Sequence, residues 1–250
     1  MSRYARRSRV GRLERPSRSY PGASGGGGGA AAADPPTAAG SAWDLASISM
    51  DVGALFSLET GDYVMAHTVR ASTSSSCVPS TSGYTQTELG TVGGIGNYKQ
   101  RSFKIEVGGT TTGIWSMSNA TLGSFMGLLH VQGTNGTVDD LVEYNAQSTA
   151  TSQDVTGPTS TVANCLDVIM TSGNNDNNGG GNPWTGPHSN NPSDGWTLHF
   201  ARGTSSGSDA CIGLWSRTQA DIGTAPTATF TQAAAYSHLT AVRILLQPAS

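Results

Sequence analysis

Five histidines, seventeen carboxylates and three cysteines are the groups of this 250-residue chain that could do acid–base, nucleophilic or metal chemistry. The histidines (His67, His130, His188, His199, His238) are scattered, and 130, 199 and 238 fall inside strand-like runs. Gly203-Thr204-Ser205-Ser206-Gly207 spells a nucleophile elbow, but it sits between two strand-like runs with no helix to follow, so it reads as a hairpin turn. Carboxylates suited to glycoside hydrolysis, Asp139/Asp140 with Glu143 and Asp51 with Glu59 or Asp62, look like loop or strand-edge acids. The segment from Gly90 to Gly96 has the glycines of a phosphate cradle but lacks the following helix and lysine, and reads as a turn. Cys77, Cys165 and Cys211 are an odd count without a C-x-x-C pair, which argues against zinc and against a disulfide framework. They read as buried thiols of a protein made in a reducing cytoplasm. Asp176, among Asn174, Asn175, Asn177 and Asn178, is a single carboxylate with no bidentate partner, so no metal is expected there. No cofactor and no catalytic residue is expected anywhere. Trp184 and His188 share that polar stretch, where an aromatic either packs back on the body or meets a ligand such as a sugar ring. Asp176, Trp184 and His188 are therefore candidate ligand contacts on an exposed loop.

The elements that must carry these residues divide sharply by charge. The first twenty residues hold seven arginines (Arg3, Arg6, Arg7, Arg9, Arg12, Arg15, Arg18) and one acid, Glu14, which makes an arm of +6. The remaining 230 residues hold seven bases and sixteen acids, a body of −9. Such an arm buries too little apolar surface to fold alone and must dock on something or stay mobile. Its arginines are followed by Gly, Ser and Pro rather than an apolar stretch, which excludes a secretory signal. No run of about 18 apolar residues exists to span a membrane.

Residues 21–42 read as a Gly/Ala/Pro linker, and the body, 43–250, as an all-β sandwich. Strands are expected at 46–58, 62–71, 83–90, 98–107, 111–118 and 124–132, then at 162–171, 195–202, 209–218, 225–232 and 237–247. The stretch 174–192 is expected to be neither helix nor strand. The two sets look alike. Gly83-Tyr84-Thr85 parallels Gly195-Trp196-Thr197, and the run from Tyr98 to Phe103 parallels that from Ile212 to Arg217. The Thr-rich run from Thr110 to Trp115 parallels that from Thr224 to Phe230, and the closing strand 125–131 parallels 238–246. Two related halves, about 46–133 and 162–247, are expected to pack sheet against sheet.

The second half, with Gly195-Trp196-Thr197, the Gly203–Gly207 turn, Ile212 to Arg217, Gly223 to Thr231 and Leu239 to Leu246, resembles a β-sandwich domain of tailed-bacteriophage structural proteins. Gly61-Asp62-Tyr63 and Pro79 to Thr85 resemble the opening of the same domain. The resemblance implies a jelly-roll-like antiparallel sandwich on the virion exterior, as in capsid decoration, head-fibre or tail-fibre proteins. It brings no catalytic residues. On this reading the seven arginines, with Tyr4 and Tyr20 as anchors, pair with carboxylates of a major capsid protein or tail component. Two other readings remain: an adhesin module that binds host surface glycans, and a jelly-roll coat protein whose residues 1–20 bind genomic nucleic acid. A homo-oligomer is expected, because few charges keep the sheet edges apart.

Overall fold

Thr, Val and Gly in short alternating runs commit this charge-poor chain to strands. The computed structural model describes residues 33–45, 48–70, 79–93, 99–117, 124–146, 152–174, 184–185, 195–203, 210–232 and 238–250. The first half contains β1 (Thr37–Leu45), β2 (Ser49–Asp51), the one-turn helix α1 (Val52–Leu55), β3 (Tyr63–Arg70), β4 (Pro79–Ser80), β5 (Thr85–Gly93), β6 (Lys99–Glu106), β7 (Ile114–Met117) and β8 (Ser124–Gln132). The second contains β9 (Thr134–Ala146), β10 (Ser152–Val155), β11 (Thr159–Ser160), β12 (Cys165–Asn174), β13 (Trp184–Thr185), β14 (Thr197–Gly203), β15 (Ala210–Gln219), β16 (Gly223–Thr224), β17 (Ala228–Gln232) and β18 (His238–Pro248).

Each half makes one five-stranded and one three-stranded antiparallel sheet with corresponding strand orders, and the second half adds the two-stranded β11–β16 pair. The first half reads β1-β8-β3-β6-β5 and β2-β7-β4; the second reads β9-β18-β12-β15-β14 and β10-β17-β13. Strands largely alternate between the large and small sheet of their half, a jelly-roll-like winding. Two β-bulges fall at matching places. One lies between Glu88 and Gly90 on β5 and between Leu198 and Phe200 on β14. The other lies between Ala38 and Gly40 on β1 and opposite Leu245/Leu246 on β9. Both give the same equivalence: His67, Ser102 and Gly127 of the first half occupy the positions of Met170, Leu214 and Val242 in the second.

The large sheets pack face to face, and a small sheet covers each outer face. Met65, Val69, Phe125 and Leu129 meet Val168, Met170, Phe200, Ile212 and Ile244 in the central core. Met50 and Trp115 of the small sheet cover Val64, Ile105 and Leu128 on one outer side. Val155 and Phe230 cover Ile169 and Trp215 on the other. All eight residues of β3 are therefore buried, where a one-sided sheet would alternate.

Four features differ from the sequence expectation. Within 46–58 a strand gives way to α1, because Asp51 Oδ1 accepts from the Gly53 and Ala54 amides (3.1 and 3.3 Å) and caps a turn. The sheet starts at Thr37, inside the segment read as linker, since Ala- and Gly-rich backbone pairs with β8 as readily as with water. β9 and β10 occupy the polar interval between the two expected sets, as edge strands of the large and small sheets. The stretch 174–192 is not wholly irregular: β12 reaches Asn174, and Trp184–Thr185 adds a short strand to β17.

Candidate functional site

Several of the groups singled out for chemistry are engaged within the fold, by different means. His67 lies on β3 at the seam between the large sheets, fully buried. Its Nε2 faces the Thr171 carbonyl at 3.1 Å, so Nε2 carries the proton and Nδ1 accepts from Ser102 Oγ at 3.0 Å. Burial pushes its pKa down to about 3, against a smaller upward pull from the Thr171 bond. His199 Nε2 meets Ser216 Oγ at 2.8 Å, and burial lowers its pKa to about 4. His130 Nε2 faces Asp62 Oδ2 at 2.7 Å, and the same oxygen takes the Glu59 amide at 2.9 Å. That pair pins the loop before β3.

The expected carboxylate pairs do the same kind of work. Asp139 accepts from Thr161 and Gln247, and although burial alone would raise its pKa, these bonds hold it below the ordinary carboxylate range. Asp140 accepts from the Thr159 amide at 2.6 Å, and Glu143 Oε1 from the Thr91 amide at 3.1 Å. Cys165 and Cys211 are buried, and Cys211 Sγ donates to the Gly173 carbonyl at 3.3 Å; burial, with Asp139 nearby, pushes Cys165 up to about 11, far from nucleophilic. Among the described residues no group of three His, Cys, Asp or Glu side chains could hold a metal.

The charged centre that sequence reasoning missed is an ion trio under the second small sheet. Arg243 binds Asp167 through Nε (2.9 Å) and Nη2 (2.6 Å), and Arg217 Nε reaches the same carboxylate at 2.9 Å. Trp196 lies over both guanidiniums, 4.5 Å from Arg217 and 5.4 Å from Arg243. Asp167 and Arg243 are wholly buried, so the trio braces the core and offers nothing to a substrate. The arginine ending the Ile212–Arg217 strand was legible, but its partner at 167 lies 50 residues away and carries no local signal.

What remains for function is the molecule's two ends. At one, here called the base, Thr37 pairs with Gln132, Ala33 accepts from Asn164 and Ala249 donates to Gly133. At the other, the tip, Arg70 lies opposite Lys99 and Ser124 in the first half, and Asn174 opposite Ala210 and His238 in the second. The eight residue steps of β8, from Gln132 at the base to Ser124 at the tip, separate the ends by about 26 Å at ~3.3 Å per residue. The connections 46–47, 71–78, 94–98, 118–123, 147–151, 175–183, 204–209 and 233–237 all join strand ends at the tip. Residues 1–32 precede the base.

The arm residues Arg3, Tyr4, Arg6, Arg7, Arg9, Arg12, Arg15, Arg18 and Tyr20 lie outside the described residues, as do Asp176, His188 and Cys77. Trp184 is placed by its backbone, opposite Gln232 at the tip end of β17. No helix is long and apolar enough to cross a membrane among the described residues. No protein-family model matches the chain, and no curated protein or solved structure is significantly similar to it.

Proposed function

We propose that this chain is a non-enzymatic structural protein of a tailed-bacteriophage virion, a decoration or fibre protein on the particle exterior, tethered by residues 1–20. The observation that carries this reading is the separation of ends. In sequence the +6 arm precedes β1, which starts at the base, while eight connections join strand ends at the tip. A body of −9 repels an acidic shell, and seven guanidiniums that pair bidentately with its carboxylates supply the attraction. Internal engagement of the His67, His130, Asp139 and Glu143 side chains agrees with a protein that acts through surfaces.

Deleting residues 1–20 is the test. The truncated chain should fold and melt as the full one does, yet be lost from purified particles. Normal incorporation would defeat the tether, and release of nucleic acid by rising salt would favour the coat-protein reading instead.

A second reading has its own support at the tip. The eight tip connections contain no Lys or Arg and only Asp176 and Asp209 as charges, with Ser, Thr, Asn, Gly, Tyr98 and Tyr236 prominent. That composition suits neutral, hydroxyl-rich surfaces such as host glycans. Excess free protein should then compete with phage adsorption.

A further inference from the structure

Arg70 is the last residue of β3, on the face turned toward the small sheet of the first half, and it is only 7% exposed. Its Nε and Nη1 have no hydrogen-bond partner among the described residues. A second cation, Lys99, stands directly opposite on β6, and Arg101 follows two residues along the same face. The carboxylate on the neighbouring strand, Glu88, is already engaged by Arg101 through two bonds of 2.9 and 2.8 Å. The connections that begin at Arg70 or lead into its neighbours, 71–78, 94–98 and 118–123, contain no Asp or Glu.

The second half shows what a counterion looks like in this fold, because its buried Arg243 has Asp167. At the positions equivalent to Arg70, Lys99 and Arg101 it has Gly173, Cys211 and Gly213, so the basic corner belongs to the first half alone. An unpaired buried guanidinium is strongly unfavourable, and an arriving oxyanion relieves it.

We propose that Arg70, with Lys99 beside it, is an oxyanion-binding site at the tip, which receives a phosphate-type or carboxylate group from outside the chain. The planar fork of Arg70 supplies directed donors, and Lys99 adds charge without fixed geometry. Free inorganic anion and the carboxylate of an acidic sugar share this chemistry.

The test is titration of the full-length protein with sodium phosphate and, separately, with sodium glucuronate, at ionic strength held constant with chloride. Saturable heat is expected in calorimetry, with a rise in melting temperature of about 2–4 °C near saturation. Response to phosphate only identifies a free-anion site; response to glucuronate only identifies an acidic sugar. Arg70→Met should melt at or above the wild type without ligand and lose the response, while Lys99→Gln should bind more weakly. Absence of saturable binding by both probes in the wild type overturns the proposal, whatever the variants do. So does an equal response from wild type and Arg70→Met.

Discussion

The two halves share strand order, bulges and layer arrangement, yet fill equivalent core positions with opposite chemistry. Under its small sheet the first half has Met50, Val64, Ile105 and Leu128, all apolar. The second has Gln153, Asp167, Arg217 and Arg243 in the same places. The seam between the halves is uneven in the same way. His67, held by Ser102, and Gln100 of the first half bond across it to Thr171, Ser172 and Thr240. The equivalents of the first three, Met170, Leu214 and Ile212, join Val69 and Phe125 in the apolar core. Backbone topology tolerates either filling, and most of these buried polar groups find a partner, Gln153 and the Gln100 amide nitrogen excepted. The two halves thus share a frame and differ in which of them carries charge inside.

Shape has diverged as well. Phe200 sits against Gly127, where an added Cβ would lie 2.2 Å from the ring. At the matching contact Val242 lies against Gly90, with 3.1 Å between its methyl and an added Cβ. At both contacts the first half gives the glycine and the second the side chain. The halves are consequently complementary rather than interchangeable, which favours pairing within one chain over pairing of like halves.

Asp167→Ala should be the most damaging way to break this comparison. It strands Arg243 without a counterion and should lower unfolding free energy by about 3–5 kcal/mol in urea titration. Val64→Ala, the equivalent truncation in the first half, should cost clearly less; equal costs would mean that the ionic core has no special role. Copying the first half into the second with Asp167→Val, Arg217→Ile and Arg243→Leu should instead be neutral or stabilising by up to about 4 kcal/mol. A large loss would show that the trio specifies the fold rather than merely occupying it.

At the seam, Gly127→Val should cost about 1–3 kcal/mol through overpacking against Phe200, and Phe200→Ala should relieve part of that cost. Additive losses would contradict the contact.

His67 supplies a pH test. Its folded pKa of about 3 lies below the ordinary 6.5, so the unfolded chain binds the proton first as pH falls. Stability from this group is full above 6.5 and is lost as pH drops toward 3, by about 1.4 kcal/mol per pH unit. His67→Met, which copies Met170, should flatten that slope; His199 titrates in both proteins and cancels. The smallest effect belongs to Glu88→Gln, which breaks a half-exposed pair and should cost about 0.2–1 kcal/mol, less at high salt.

Much of this architecture was legible where a strand is apolar and central. The runs at 62–71, 124–132 and 237–247 became β3, β8 and β18 because continuous apolar sequence has only buried sheet to go to. The paired segments are strands at equivalent positions, and Trp115 and Phe230 correspond residue for residue. The match of Phe103 to Arg217 was two residues out of step: by the bulges Phe103 corresponds to Trp215. β1 and β9 were hidden because edge strands of Ala, Gly, Asn and Asp carry little apolar alternation. Neither the Asp167–Arg243 pair nor the unpaired Arg70 has any local signature, since each is defined by what stands across the sheet. Asp51, which reads as a candidate acid, became a helix cap because its side chain satisfies the amides just ahead of it.

Electron cryomicroscopy of particles that incorporate the protein tests the central claim most directly. The base, with Ala33 and Thr37, should lie against the shell, with residues 1–20 running into it beside carboxylates and Arg70 and Asn174 about 26 Å farther out. A body seated by its tip, or residues 1–20 lying against nucleic acid, would contradict it.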